Sequence, residues 1–373
     1  MSETRFCTRC VISTSRPIAS REYSRGPGSE PGRMAFDDEG VCGACRVAEA
    51  KAKVDWQARH EELEELCARY RRRDGRPDVL VPGSGGKDSV YAAGHLRDLG
   101  MHPLTVTWAP HAYTDVGRRN FYRWLELGFD NILVTPNPRV HRKLTRLAFT
   151  NLLHPFQPFI LGQRSLAPKM AALHGIGLVF FGENDAEYEG VPGWQETRES
   201  HPTWDTVYIG GVAVPQLVKD YGLSIADLLI YDYGCSIPTL QLMQSVEVRA
   251  LGHYLRWDPQ SAYYYAVEHS GFEANEERTE GTYSKYNSID DKLDPLHYFT
   301  MFTKFGVGRA SHDASQEIRN GYLTRDEGIA LVQKYDAEVP MKCITWAVDY
   351  MGLTLDEFWA TIARFKREYP RVS

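Results

Sequence analysis

The stretch that most constrains this chain runs from Val79 to Leu96, VLVPGSGGKDSVYAAGHL. Asp78 to Pro82 is mostly apolar and predicts a short buried strand. Gly83, Ser84, Gly85 and Gly86 follow as a turn of small residues. Lys87 to Leu99 predicts a helix, with Val90, Ala93, Leu96 and Leu99 set among polar positions. A strand, a glycine turn and a helix N-terminus in succession make an anion site. The first helical amides lack intrahelical acceptors, the helix dipole favours negative charge, and glycine lets the backbone approach a phosphate. Ser84 and Ser89 add hydroxyl donors and Lys87 a mobile positive charge. Asp88 beside such a cradle makes sense as a Mg²⁺ ligand. The spacing is neither GxxxxGK[ST] nor GxGxxG. A solvent-facing glycine turn would explain SGG alone, but not the six residues SGGKDS between a strand and a helix.

The residues that follow alternate strand and helix. Strands are predicted at Leu104–Trp108, Asn131–Thr135 and Leu178–Gly182. Helices are predicted at Asp115–Leu127, Val140–Leu153 and Ser165–His174. Such alternation argues for an α/β fold with a parallel sheet covered by helices on both faces. Ligands then gather beyond the carboxyl ends of the strands. Those ends carry Ala109, Pro110 and His111 after the second strand, and Gly182, Glu183, Asn184 and Asp185 after the fourth. Glu183 and Asp185 are metal or substrate candidates, or simply an acidic turn before a helix.

Four of the seven cysteines form two pairs, Cys7 with Cys10 and Cys42 with Cys45. Two Cys-x-x-Cys knuckles offer four thiolates to a structural Zn²⁺ with no corner left open for catalysis. An iron–sulfur centre or a redox dithiol are the alternatives. Few large apolar residues lie nearby, so this segment needs a staple to fold. Arg16 to Met34 is rich in Ser, Arg, Gly and Pro and predicts an exposed loop. Val54 to Arg73 predicts a charged helix whose apolar stripe includes Cys67. The expected organisation is a zinc knuckle at 1–54, a connecting helix at 55–77, a nucleotide domain at 78–245 and a mostly helical region at 246–373.

Net charge is −6, which gives no general polyanion-binding surface. No signal-like start and no apolar run of about 18 residues is present, so a cytoplasmic enzyme without membrane segments is expected. Residues 186 to about 240 are rich in Gly, Pro and Trp and predict short helices and loops over the site. Val246 to Leu251 predicts a further strand. Residues 277–328 mix aromatics with Tyr283, Lys285, Asp290, Asp291, His297, Lys304, Arg309 and other polar side chains. That density reads as a lined site, with ring faces for a sugar or base and cations for phosphate or carboxylate, or as a helical region with ordinary ion pairs. Thr354 and Glu357 form a capping-box pattern before the last helix.

The string SGGKDS resembles the PP-loop of the ATP pyrophosphatase superfamily, whose members cleave ATP between the α and β phosphates. More widely, the chain resembles the N-acetyl sugar amidotransferases of that superfamily, which act in bacterial lipopolysaccharide and in pseudaminic and legionaminic acid biosynthesis. The resemblance is carried by FCTRCVI, FDDEGVCGAC, VPGSGGKDS, VTWAPH, FGENDAEYEG, LGHYLRWDPQ and the run ERTEGTYSKYNSIDDKLDPLHYFTMFTKFGVGRASHDASQEIRNG. It implies adenylation of an N-acetyl carbonyl by ATP, then displacement of AMP by ammonia to leave an acetamidino group.

By the same resemblance Ser84, Gly85, Gly86, Lys87, Asp88, Ser89 and Gly182 hold ATP. Lys87, Asp88, Ser84 and Glu183 serve catalysis, and Asp88 and Asp185 hold Mg²⁺. Asn184, Asp185, Tyr283, Lys285, Lys304 and Arg309 meet the acceptor. It also implies a separate glutaminase subunit with a cyclase-like ammonia-channelling protein, while a homodimer is the default assembly. Alternatives are a PP-loop enzyme of tRNA, thiolating or lysidine-forming, an amidotransferase acting on a nucleoside or other natural-product amide, and a nucleotide-binding scaffold without turnover. Mild acidity and the lack of a Lys/Arg stripe count against tRNA.

Overall fold

A computed structural model describes residues 4–18, 33–183, 188, 190, 208–231 and 245–368. Its centre is a five-stranded, all-parallel sheet in the order β3-β2-β1-β4-β7. The strands are β1 (Val79–Pro82), β2 (Pro103–Trp108), β3 (Asp130–Val134), β4 (Leu178–Phe181) and β7 (Glu247–Ala250). A small antiparallel pair, β5 (Tyr208–Ile209) and β6 (Val212–Ala213), stands apart. Strand order reverses at β1: the chain runs outward through β2 and β3, then returns to place β4 on the other side. The crevice beyond β1 and β4 is the place where such a sheet binds ligands.

Both faces of the sheet are covered at its centre, where β1 (VLVP) and β4 (LVFF) are apolar without interruption. Val79 and Val81 face one core with α3 (Lys87–Asp98), α4 (Asp115–Glu126) and α9 (Pro259–Ser270). Leu80 faces the other, with α5 (Pro138–Leu152) and α6 (Gln157–Leu173). Each such fully buried Val or Leu stabilises the fold by about 1.5–3 kcal/mol. The helix expected at Ser165–His174 is longer than its periodicity indicated and begins at Gln157. Pro158 sits in its first turn, where no amide is needed, and Gly162 lets Trp108 lie against the helix: a Cβ there would meet the Trp108 ring at 2.1 Å.

The strand expected near Val246 is β7. It pairs with β4 through Leu178↔Glu247 to Phe181↔Ala250, so the sheet takes its last strand from beyond residue 245. After it the chain is helical: α9, α10 (Asp294–Phe305), α11 (Arg309–Arg319), α12 (Arg325–Tyr335), α13 (Met341–Met351) and α14 (Leu355–Glu368). Thr354 and Glu357 cap α14 reciprocally. Between β6 and β7 lie α7 (Val214–Tyr221) and the single turn α8 (Ile225–Leu228).

The N-terminal segment wraps Cys7, Cys10, Cys42 and Cys45 into a core of their own with Ile12, Met34 and Val41, beside α1 (Gly43–Lys51). The loop expected to be exposed from Arg16 to Met34 is buried at both ends. Arg16 is 7% exposed, reaching His312 Nδ1 at 3.4 Å, and Met34 is 4% exposed against the cysteines. The connecting helix α2 (Trp56–Tyr70) starts on its Asp55 cap. Among the described residues no helix is long and apolar enough to cross a membrane. Asn184, Asp185, Cys235 and most of 186–240 lie outside the described residues.

Candidate active site

The turn after β1 is built by close backbone contact. Gly85 has φ +86°, and a Cβ on it would stand 2.6 Å from the Asn120 carbonyl oxygen. Only glycine meets both conditions without strain. Gly86 caps α3 with extended backbone and no side-chain hydrogen bond, so the first amides of α3 are left for a ligand. Ser89 donates to the Gly86 carbonyl at 2.9 Å and braces the turn. Beyond β4, Gly182 packs on the same loop: a Cβ would stand 2.5 Å from the Asp88 carbonyl oxygen.

A cavity of about 460 Å³ opens at this point. Ser84, Gly85, Gly86, Lys87, Asp88 and Ser89 line one side, with Gly182 and Glu183 at the end of β4. Lys87 is 8% exposed. Its ammonium lies 2.5 Å from Asp88 Oδ2 and 5.8 Å from the centre of the Trp257 ring. The indole N–H of Trp257, in turn, donates to Asp88 Oδ1 at 3.1 Å. Trp257 is buried, and its carbonyl accepts from Lys51 of α1. The acid of the loop is thus held from both sides.

The opposite wall comes from the segment before α10 and from its first turns. Tyr286, Ser288, Asp290, Asp291, Asp294 and Tyr298 line it. The Ser84 hydroxyl hydrogen-bonds to Asp290, whose carboxyl is raised above its ordinary pKa by burial. Burial pushes Asp294 well above its ordinary value too. Asp291 is pinned by His111, which donates its backbone N–H at 2.7 Å, while the ring Nδ1 lies 2.7 Å from the same oxygen. Thr114 N–H to Asp290 O (3.0 Å) and Lys292 N–H to Ala112 O (3.0 Å) lock this segment onto the loop after β2. An aromatic and apolar flank, Trp108, Phe156, Phe159 and Ile160, completes the cavity beside Arg249 of β7.

Of the acceptor candidates, Asn184 and Asp185 lie outside the described residues, and Tyr283, Lys285, Lys304 and Arg309 do not line this cavity. Tyr283 donates to Glu317 at 2.8 Å, Lys285 to the Glu276 carbonyl at 2.8 Å, and Lys304 to the Leu152 carbonyl at 3.1 Å. Arg309 pairs with Asp313 at 3.1 Å, donates to Ser288 at 2.8 Å and stacks on Tyr298. It supports two lining residues from behind. Trp257 and Asp294 lie in stretches that carry the resemblance, LGHYLRWDPQ and the run from Glu277, without having been assigned to the site, and Asn120 lies in no motif. Asp290 and Asp291 belong to the polar run singled out above, where their acidity was the available signal.

Away from the cavity, the sulfurs of Cys7, Cys10, Cys42 and Cys45 all lie within 4.8 Å of one another and are buried. Cys7 and Cys45 sulfurs are 3.9 Å apart, and Cys10 and Cys42 sulfurs 3.7 Å apart. Backbone amides of Arg9 and Cys42 point at Cys7 Sγ at 3.4 and 3.3 Å. Four converging sulfurs with N–H donors behind them are suited to a structural zinc site. Arg325 of α12 clasps the Cys7 and Cys10 carbonyls at 3.2–3.3 Å, tying this module to the helical region.

Comparison with known proteins adds one family. Residues 280–371 match the family described as LPS biosynthesis protein WbpG-like, C-terminal domain. No curated protein matches the chain. Solved structures with some likeness include an NH3-dependent NAD synthetase from Campylobacter jejuni, 18% identical with TM-score 0.29, covering 36% of this chain. An NMN synthetase from Francisella tularensis is 13% identical with TM-score 0.28, covering 52% of this chain and 92% of its own. An NAD+ synthetase from Burkholderia pseudomallei is 19% identical with TM-score 0.26, covering 63% of this chain and 95% of its own. This chain spans 59% of the length of the first of these. At such TM-scores they add nothing to what the sheet and loop themselves show. The chain joins a five-stranded parallel α/β sheet, with SGGKDS as its first turn, to a C-terminal segment similar to the WbpG-like proteins of LPS biosynthesis.

Proposed function

We propose that this protein is an ATP-dependent amidotransferase that converts the N-acetyl group of a sugar into an acetamidino group, releasing AMP and pyrophosphate. The observation that supports this most is the make-up of the cavity. One wall is the SGGKDS loop and the other is Tyr286 to Tyr298, within the segment that matches the WbpG-like family. An ATP held by the loop therefore faces the part of the chain that is similar to a lipopolysaccharide biosynthesis protein.

An amide carbon resists ammonia until its oxygen becomes a good leaving group. The carbonyl oxygen attacks the α-phosphorus, the bond to pyrophosphate breaks, and an O-adenylated imidate results. Ammonia then adds to the imidate carbon, and AMP departs with the original oxygen. In this scheme the amides at the start of α3, with Ser84 and Lys87, hold the pyrophosphate and the charge that develops on it. Lys87 exchanges its Asp88 partner for phosphate oxygens. Asp88, with Asp290 across the cavity, fits the donor chemistry of Mg²⁺, an oxygen-preferring ion that would screen the phosphates; Glu183 and Asp185 are further candidates. Asn184 and Asp185, after β4, would meet the acceptor, and Arg309 would act through Ser288 and Tyr298. The flanking rings of Trp108, Phe156 and Phe159 suit a base or a sugar face. A separate glutaminase with a channelling subunit would supply ammonia in the cell.

The test is product mass. Purified protein is incubated with ATP, Mg²⁺ and ammonium chloride against a panel of N-acetylated sugar nucleotides. The expected product is an acceptor lighter by the difference between an oxygen atom and an NH group, formed together with AMP. Stimulation of ATP turnover by tRNA alone would overturn the sugar reading.

A further inference from the structure

Behind the aromatic flank of the cavity lies a second group of polar atoms that the scheme above does not use. His111 follows β2, and its side chain is 0% exposed. With Nδ1 2.7 Å from the Asp291 carboxylate, that nitrogen carries the hydrogen and Nε2 of the neutral ring is a bare acceptor. Among the described residues Nε2 has no hydrogen-bond partner. The ring of His141, on α5, lies 4.6 Å from that of His111, centre to centre. His141 is 2% exposed, its Nδ1 is 2.9 Å from the Tyr231 hydroxyl, and its Nε2 also lacks a partner among the described residues. Trp108, 6.3 Å from His141, has an indole N–H with no partner among the described residues and is 4% exposed. Phe156, Phe159 and Tyr350 close around His111 at 4.9, 5.4 and 5.9 Å.

Buried polar atoms are paired in the great majority of cases, and three orphans in one box call for a small polar guest. The box dictates its chemistry. A guest must donate to an imidazole nitrogen and accept from, or pack beside, an indole N–H. Aromatic faces and the Asp291 carboxylate behind His111 favour a cation and disfavour phosphate or carboxylate. Sodium has nothing to donate. Ammonium donates to the imidazole nitrogens, suits the aromatic faces as a cation and packs beside the indole N–H without accepting from it, whereas water meets only the hydrogen-bonding conditions. Trp108, Phe156 and Phe159 also line the ATP cavity, so the box is one aromatic layer away from it.

We propose that the box formed by His111, His141, Trp108, Phe156 and Phe159 receives ammonium, and that His111 Nε2 takes its proton to release ammonia into the cavity. The proposal rests on the amidotransfer reading. An N–H bond of ammonium breaks, the electron pair stays on nitrogen, and the proton binds Nε2. Asp291, across Nδ1, balances the imidazolium charge. The proton is finally taken up by the amidine product, the stronger base. The groups that face His111 are Asp291, His141 and Tyr350, with Arg142 stacked over Tyr350 at 5.1 Å and Tyr231 behind His141. Burial, together with His111 beside it, holds His141 well below its ordinary pKa, which keeps it neutral.

Two measurements test this. Full-length protein with ¹⁵N-labelled histidine is titrated with ammonium chloride, and separately with tetramethylammonium chloride at matched ionic strength. Saturable shifts of the His111 and His141 ring nitrogens with ammonium only are expected. Absence of a saturable shift, or equal shifts with both salts, overturns the ammonium site whatever the enzyme's reaction. With an active acceptor in hand, His111→Gln, which can still donate to Asp291, is expected to raise the KM for ammonium about tenfold more than the KM for ATP. An equal change in both constants overturns the assignment. A wild-type enzyme without ammonium-dependent turnover sinks the amidotransfer reading instead, and the titration still decides the site. His141→Phe keeps the ring volume and supplies a second variant should His111→Gln not fold; it too is expected to raise the ammonium KM selectively.

Discussion

Gly182→Ala concentrates the geometric argument in one methyl group. Gly182 follows β4 and touches the backbone of the SGGKDS loop. A Cβ there would stand 2.5 Å from the Asp88 carbonyl oxygen and 3.0 Å from its carbon. Ordinary contact begins at 3.4 Å, so the loop or β4 must shift by about 0.9 Å to admit the methyl. Both neighbours are backbone and neither can rotate away. Overpacking of this kind costs about 1–3 kcal/mol of stability, which a thermal melt reads as a drop of several degrees. The larger effect falls on function. A displacement on the order of 1 Å in a positioning element lowers turnover by roughly a hundredfold. The assay is a calorimetric titration with a non-hydrolysable ATP analogue and Mg²⁺, alongside ATP–pyrophosphate exchange. The expected outcome is a folded variant, slightly less stable, with weak nucleotide binding. A variant that binds and exchanges like the wild type would refute the claim that the loop and the β4 end form one rigid nucleotide cradle.

Other perturbations report on other parts. Cys10→Ser is expected to release bound zinc and expose residues 1–54 to proteolysis, read by metal analysis and limited digestion; unchanged zinc content would remove the four-thiolate site. Trp257→Phe removes the N–H that holds Asp88 Oδ1 and is expected to raise the Mg²⁺ concentration needed for half-maximal ATP turnover with little change in the melt. Asp294 has a folded pKa raised by burial, so its contribution is fully present below the unfolded carboxyl value and is lost as pH rises through the folded one. Asp294→Asn is therefore expected to raise Tm near neutral pH, with the gain shrinking as pH falls toward the ordinary carboxyl range; a gain independent of pH would contradict this.

Local features were legible in the sequence and long-range ones were not. The strand, turn and helix from Val79 to Asp98 depend on neighbours in the chain, and they stand where the apolar pattern and glycines put them. The four cysteines were legible because metal sites repeat a short spacing. The fifth strand was visible at Val246–Leu251, but its place beside β4 depends on pairing with Leu178–Phe181, far away in sequence. Lys285 and Lys304 were expected to meet the acceptor; sequence shows charge and not direction, and both donate to backbone carbonyls. The His111–Asp291 contact spans 180 positions and joins a loop after β2 to a segment before α10, so no local pattern announces it. Arg16 shows the same limit in reverse. A stretch rich in Ser, Gly and Pro reads as exposed, yet its first residue is buried against His312.

The central claim is that ATP bound at the SGGKDS loop activates an acetamido carbonyl presented by the Tyr286–Tyr298 wall. ATP–pyrophosphate exchange in the absence of ammonia tests it most directly, because it isolates the adenylation step. Labelled pyrophosphate is expected to enter ATP only when an N-acetylated sugar nucleotide is present, and Lys87→Ala is expected to abolish it. Exchange stimulated by tRNA and by no acetamido sugar, or exchange unchanged in Lys87→Ala, would contradict the account.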